Sequence, residues 1–398
     1  MKRLVLAGAG HAHALVLRAL VRQPMPGVEV VVISPEPLAP YSGMVPGWLS
    51  GHYRFDEIAI DFPPLAAAAG ARWCRDEIHA LDPARRQLRL ADGSTLDYDV
   101  LSLNVGSTLQ PPPAEHAQML PLRPLAMLHR RYENLLERWA RAPADRPFVV
   151  TAVGGGAAGF EALLAVLTRL RALRPDHPVH GSLLTRGTRL LPGLAPAARR
   201  AAQRALDRAG VTVQFGSGWC TSVDRSDVVL WATGAEAHGW QRDPARRGSL
   251  AVDEQGFVRI DELLRSVSHP QVFATGDCAS WSGQALPKAG VHAVRMGPVL
   301  AGNLRAALRV PAAAGDLRVH RPQRHFLALL ATGDGRAIAS RGPFGAEGAW
   351  AWRLKDCIDR RFLQQFVATQ ATPPNASQPA KTLNPLADVS ARHSGESP

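Results

Sequence analysis

Two glycine clusters carry the densest chemical signal in the chain. Gly8-Ala9-Gly10-His11-Ala12-His13 follows the short apolar run Lys2–Ala7 and opens a stretch, His11–Gln23, with helical apolar spacing. A strand that turns on glycine into a helix N-terminus suits a dinucleotide pyrophosphate, because backbone amides and the helix dipole both face the anion. Gly8 permits the tight turn and Gly10 lets those amides come close. His13 stands where the fingerprint carries its third glycine, so the helix is expected to stand off or tilt from its strand. Gly154-Gly155-Gly156-Ala157-Ala158-Gly159 is a complete second cluster, placed after the apolar run Phe148–Val153. Gly154, Gly156 and Gly159 fill its three fingerprint positions.

The residues that follow each cluster bear on the rest of a nucleotide. An acid at the end of the second strand would grip a ribose diol. After Val28–Ile33 the chain instead reads Ser34-Pro35-Glu36, so either Ser34 bonds the ribose or Glu36 reaches back to it. After Val179–Leu184 it reads Thr185-Arg186-Gly187, with no acid. An arginine beside a missing acid favours a 2′-phosphate, and so NADP over NAD. A solvated surface arginine is the other reading of Arg186. Thr275-Gly276-Asp277 closes a further strand, where a carboxylate past a glycine turn can accept from a sugar-alcohol hydroxyl, as extended FAD requires. Lys288-Ala289-Gly290-Val291-His292-Ala293 then starts a helix whose positive end would stabilise charge on a reduced flavin. Glu161 either answers the dipole of its own helix or lies near a nicotinamide ring. Glu161 and Lys288 are the candidate polar groups at the reacting face, and His292 is the candidate proton donor.

These groups need a framework, and the chain is long enough to supply one. Its 398 residues, 46% hydrophobic and 20% charged, describe a globular protein of several domains. Lys and Arg number 46 against 34 Asp and Glu, a formal charge of +12. Only four of the cations are lysine (Lys2, Lys288, Lys355, Lys381), an arginine dialect that weakens charge as a sign of nucleic acid. No recognition motif supports a nucleic-acid partner. Cys74, Cys220, Cys278 and Cys357 are isolated, which excludes a zinc ribbon or an adjacent redox pair and suits a reducing, cytoplasmic setting. No metal site is expected. Met1-Lys2-Arg3 imitates a secretory leader, but Leu4–Ala7 runs straight into a glycine turn and reads as a first strand. No uncharged apolar stretch reaches membrane-span length.

The strand–turn–helix–strand pattern therefore occurs twice, about 150 residues apart. It predicts an α/β fold of two doubly wound, Rossmann-like dinucleotide-binding domains, the second inserted in the first. The expected boundaries are 1–115 and 241–315 for the first domain and 116–240 for the second. A small α+β cap over 316–370 follows, with strands near His325–Ala331 and Gly335–Arg341 and a helix over Gly348–Phe366. From Ala371 the Pro/Ser-rich composition reads as a disordered tail.

The order of these motifs resembles the FAD-dependent pyridine nucleotide–disulfide oxidoreductase superfamily, over residues 1 to about 366. Within it the chain looks most like the type II NADH dehydrogenase and sulfide:quinone reductase branch. Tyr41-Ser42-Gly43-Met44-Val45-Pro46-Gly47, Asp334-Gly335-Arg336 and Trp352–Asp356 further resemble the flavoprotein module found ahead of selenide, water dikinase. The resemblance implies FAD pyrophosphate on Gly8 and Gly10, with Ser34 near its ribose and Ile78 by the adenine. It also implies Gly106 and Ser107 at the domain crossover and Asp277 on the ribitol. Tyr41–Pro46, with Ser42, and Lys288–His292, with Val291, would flank the flavin ring. NAD(P)H would lie on Gly154, Gly156 and Gly159, with Glu161 and Gly234 nearby. Two departures stand out. There is no cysteine pair for a thiol relay, and Gly290 occupies the place of a quinone-side Gln. The implied activity is hydride transfer from NAD(P)H to FAD and on to an unidentified small-molecule acceptor, with quinone an open choice. The alternative is a flavin-binding accessory protein of selenium metabolism, with a separate selenophosphate synthetase as partner. In the C-terminal helix, Trp350, Leu354, Cys357/Ile358 and Arg361/Phe362 form one stripe, expected to pack on the flavin domain. Peripheral contact with the inner membrane face through 348–366 stays open.

Overall fold

Unbroken Val/Ile/Leu strands bury both faces only in a parallel sheet covered by helices, and two such sheets organise the chain. The structure is a computed structural model describing residues 1–114, 116–220, 225–283, 287–309, 317–323 and 326–370. The stretch read as a tail, from Ala371, lies outside the described residues. So does His325, where a cap strand was expected to begin.

From the N-terminus, β1 (Lys2–Ala7) turns into α1 (His11–Arg22) and returns as β2 (Val28–Ile33). The same sheet gains β3 (Arg72–Cys74) and β4 (Val100–Leu103). The chain then builds β5 (Gln118–Pro121), α2 (Leu128–Ala140), β6 (Phe148–Val153), α3 (Ala157–Leu173), β7 (Val179–Thr185), α4 (Pro196–Arg208), β8 (Val211–Phe215) and β9 (Val228–Trp231). It comes back as β10 (Val272–Ala274) and α5 (Gly290–Leu308). The first sheet runs β10-β4-β1-β2-β3 and the second β5-β9-β6-β7-β8, every pairing parallel. Because β10 joins β4 after the whole second sheet has formed, the second unit is inserted in the first. In each sheet the strand order reverses beside the strand that precedes a glycine cluster, and ligands of open α/β sheets bind at that switch point.

The helices are held to these sheets by close approach. α1 lies against α5 so tightly that a Cβ on Gly297 would come 2.5 Å from Leu15 Cδ1. α3 is sealed on nearly all sides, with Phe160, Leu163, Leu167 and Leu170 at 1% exposure or less.

The cap holds three antiparallel strands rather than two: β11 (Ala328–Ala331), β12 (Ala337–Arg341) and β13 (Phe344–Gly348). The segment Phe-Gly-Ala-Glu-Gly has little strand propensity. It is held by α4, since a Cβ on Gly345 would meet the backbone nitrogen of Ala198 at 2.5 Å, and Arg208 pairs with buried Glu347. α6 (Ala349–Gln370) follows directly. Its buried face matches the expected stripe only at Phe362. Trp350, Leu354 and Ile358 are 52%, 38% and 45% exposed, while Ala351, Lys355, Asp359, Phe362 and Phe366 are buried. The helix is turned about one residue from the expected stripe because Lys355 and Asp359 join a buried ion cluster described below.

Candidate functional site

The first glycine turn is closed from behind by Asn104 at the end of β4. Gly8 sits at φ +100°, and a Cβ there or on Gly10 would overlap Asn104. The Asn104 Oδ1 accepts from the amides of Ala12 (3.1 Å) and His13 (3.4 Å), and its Nδ2 donates to Thr275 O at 2.8 Å. It thus supplies the cap that glycine at the helix start cannot. The missing third glycine is resolved by the histidine itself. His13 Nδ1 lies 2.7 Å from Gly8 O, so it carries the proton and donates; Nε2, 2.8 Å from Ser102 Oγ, then accepts. Burial pushes this imidazole down to about 4, so it stays neutral. The ring is a wedge between helix and sheet, given room by the small Ser102.

From this turn a cavity of about 620 Å³ opens toward the second unit. Of the residues singled out in the sequence, Gly8, Gly10, Ser34, Ser42, Ile78, Gly106, Ser107, Glu161, Asp277 and Lys288 line it. Glu36 lines it as well, its carboxylate 3.5 Å from Arg130. Asp277 is ion-paired with Arg123, whose guanidinium also donates to Ser107 Oγ and, at 3.0 Å, to Lys288 O. Lys288 turns its ammonium away, donating to Ala279 O at 2.6 Å and resting 3.6 Å over the Phe257 ring. Burial lowers its pKa. His292 is not brought to the cavity wall. It is buried with its ring edge-on to Phe326 at 5.9 Å and its Nε2 unpartnered, and burial lowers its pKa. Its neighbour Val291 and the aromatic Tyr41 also lie behind the lining. Gly290 is explained by Ser42: a Cβ there would overlap the Ser42 hydroxyl.

Opposite the first turn, Ala157, Ala158 and Glu161 of α3 complete the wall. Glu161 accepts from Ala331 N of the cap at 2.7 Å, and burial pushes its carboxyl up to about 7 against the pull of Lys355. Lys355 Nζ donates to Gly43 O at 2.5 Å and to Asp359 at 2.9 Å. Burial raises the Tyr41 pKa, and the neighbouring Asp359 adds to it. Loop 41–43, α3 and the cap therefore meet at one buried set of ionisable groups beside the cavity.

The second glycine turn repeats the backbone of the first without the wedge. Gly154 sits at φ +128° under Ala232 O, and a Cβ on Gly159 would overlap Gly154 O. Gly155 faces Thr185, whose Oγ1 accepts from Gly187 N at 3.2 Å. Gly156 and Gly234 have open space where a Cβ would stand, and Arg186 is exposed beyond them. Among the described residues no group of three or more His, Cys, Asp or Glu could hold a metal. No helix among them is long and apolar enough to cross a membrane.

Two doubly wound sheets, each turning on glycine into a helix and sharing one cavity, define a dinucleotide-binding oxidoreductase. The chain belongs to the pyridine nucleotide-disulphide oxidoreductase family, whose model matches residues 2–297. This is a family of two-domain flavoproteins that bind FAD and NAD(P). An alternative NAD(P)H-ubiquinone oxidoreductase C1 of Arabidopsis thaliana is 25% identical over 349 residues, covering 77% of this chain and 67% of that protein. The chain spans about half to two thirds of the length of the curated relatives it matches. Solved structures share the fold. NDH2 of Plasmodium falciparum in complex with NADH has TM-score 0.74 at 12% identity over 93% of this chain and 98% of that one. The sulfide:quinone oxidoreductase of Aquifex aeolicus has TM-score 0.73 at 15% identity over 93% and 92%.

Sequence reasoning missed Asn104, Arg123, Lys355 and Asp359. Asn104 is an amide at a strand end, a signal that was available. Lys355 is one of four lysines in a chain that otherwise uses arginine, which marks a place where a compact ammonium is wanted. Nothing local marks Arg123, since its partners lie 16 and 154 residues away.

Proposed function

We propose that the protein takes hydride from NAD(P)H onto FAD and delivers the electrons to a small-molecule acceptor, with a quinone as the favoured class. The observation that carries this reading is the shared cavity, lined by the first glycine turn on one side and by the helix of the second on the other. Its residues fit FAD: Gly8 and Gly10 form a cradle that a Cβ would fill, and the lining leads from Glu36 and Ile78 past Asp277 to Ser42.

Bound there, FAD would supply the hydride acceptor and the electron outlet. Gly8 and Gly10 let the start of α1 approach its pyrophosphate. Ser34 and Glu36 take the ribose end, and Arg123 and Asp277 offer a cation and a carboxylate to the phosphates and the ribitol. Ser42 and the first turn of α5 flank the ring, the helix N-terminus favouring negative charge beside it. Gly154, Gly156 and Gly159 carry the nicotinamide nucleotide, with Gly234 opposite. Glu161, poised near neutrality at the cavity wall, holds or releases the proton that accompanies reduction of the acceptor. Lys355 keeps that proton exchangeable by stabilising the carboxylate. Lys288 acts through its backbone carbonyl and its packing on Phe257, and His292 supports α5 from behind.

The exposed stripe Trp350, Leu354 and Ile358, with Arg353 and Arg361 beside it, suits peripheral contact with an anionic bilayer, where a lipid quinone would be found. Anaerobic titration tests the core of the reading. The FAD-loaded protein is expected to bleach promptly with a nicotinamide reductant and to recolour with a short-chain quinone. Flavin that no nicotinamide bleaches would overturn it.

A further inference from the structure

The rim beyond the second glycine turn bears on which nicotinamide nucleotide fits it. β7 ends on Thr185, where a diol-binding acid would stand. The Thr185 hydroxyl is turned back onto the amide of Gly187 (3.2 Å) and packed against Gly155. The next residue, Arg186, is exposed and lies along the neighbouring turn, where a Cβ on Gly218 would be 3.4 Å from its Nε. That neighbouring turn is tied to the same strand end, Ser217 N donating to Thr185 O at 3.0 Å and Gly216 N to Gly187 O at 3.3 Å. Arg189 is a second exposed guanidinium, three residues on. Two residues past it, Leu191 N donates to Gly155 O at 2.8 Å, which anchors the arginine-bearing loop directly to the glycine turn.

Neither Arg186 nor Arg189 has an acid partner among the described residues. The sequence shows why: no Asp or Glu occurs between Asp176 and Asp207. Two unpaired guanidinium groups and a neutral hydroxyl suit a dianion at the 2′ position and offer nothing to chelate a free 2′,3′-diol.

We propose that this rim binds the 2′-phosphate of the adenosine ribose, so that NADPH rather than NADH is the working reductant. The inference deepens the NAD(P)H reading above and rests on it for the word reductant, although the phosphate subsite itself can be probed without any redox chemistry. Because both arginines are exposed, the preference weakens as salt rises.

The experiment measures binding of 2′,5′-ADP and of 5′-ADP to the FAD-loaded protein by calorimetry, beside anaerobic bleaching rates with NADPH and NADH. The wild type is expected to bind 2′,5′-ADP about ten- to a hundredfold more tightly and to bleach faster with NADPH at low nucleotide concentration. R186A/R189A should erase most of that gap while leaving 5′-ADP binding within about twofold, a readout that a folding defect would not give. T185E should move the preference toward NADH. Equal binding of the two probes by the wild type, or a preference unchanged in R186A/R189A, overturns the proposal. If 2′,5′-ADP binds selectively but neither nucleotide bleaches the flavin, the phosphate subsite stands and the hydride-transfer reading falls.

Discussion

The two glycine turns share a backbone and differ in almost everything around it. The first is enclosed. Asn104 caps its helix, His13 wedges it against β4, and Ser42, Val45 and Pro46 of loop 41–47 line the cavity that leaves it. The second keeps its third glycine, has open space at Gly156 and Gly234, and ends at a solvent-exposed arginine rim. Enclosure suits a nucleotide that stays, and an open rim suits one that arrives and leaves each turnover. On the proposed function, one sequence pattern, used twice, makes a resident site and an exchange site. The difference is set by residues outside the pattern.

The sharpest way to break that contrast is to put the same change in both turns. Gly8→Ala would force a Cβ into Asn104 at positive φ and cost about 3–5 kcal/mol, with loss of bound FAD seen in the visible spectrum. Gly154→Ala meets the same strain at Ala232, yet it should leave the protein yellow and abolish bleaching by NADPH. Equal flavin loss in both variants would mean that the turns are not separate sites.

Next is the ion cluster that joins the cap to both units. Lys355→Met leaves Asp359 buried without its cation and should cost about 3–5 kcal/mol, measured by denaturant unfolding. Glu161 tests the same cluster by pH. Its folded pKa of about 7 lies above the ordinary value of 4.5. Its contribution to stability is therefore full below about pH 4.5 and is lost as pH rises through 7. Relative to Glu161→Gln, the wild type should lose about 3 kcal/mol across that window. Parallel stability curves for the two proteins would place Glu161 in water, not in the cluster.

His13→Gly restores the third glycine and sharpens the comparison from the other side. It should cost about 2–3 kcal/mol, from the cavity left and the lost bonds to Gly8 and Ser102. A neutral or stabilising outcome would show that the wedge is dispensable. The smallest effect on stability is expected at the exposed stripe of α6. Trp350→Ala with Leu354→Ala should shift stability by less than about 0.5 kcal/mol while reducing co-sedimentation with anionic vesicles. Unchanged vesicle binding would remove the membrane contact.

Much of this was legible in the residues. Strands β1, β2 and β6 follow from unbroken apolar runs, and both turns follow from glycine where only glycine fits. Gly8, Gly10, Ser34, Ser42, Ile78, Ser107 and Asp277 all reach one cavity. What was hidden is what depends on distant pairing. Arg123 finds Asp277 across the whole inserted unit, and no local spacing encodes that. The buried side of α6 is decided by Lys355 and Asp359 meeting loop 41–43, so an apolar stripe read alone finds Phe362 but misplaces Trp350, Leu354 and Ile358. Strand β13 exists because α4 receives Gly345, not because its residues favour a strand. His13 reads as a defect in a motif until Ser102, 89 residues on, is seen to receive it.

On the proposed function, two separate nucleotide sites open on one cavity, one holding FAD and the other presenting the reductant to it. Anaerobic titration of the FAD-loaded wild type beside Gly154→Ala tests it most directly. Prompt, stoichiometric bleaching by NADPH in the wild type, with Gly154→Ala still yellow and unbleached, is the expected result. A wild-type flavin that stays oxidised, or a Gly154→Ala protein bleached at the wild-type rate, would contradict it.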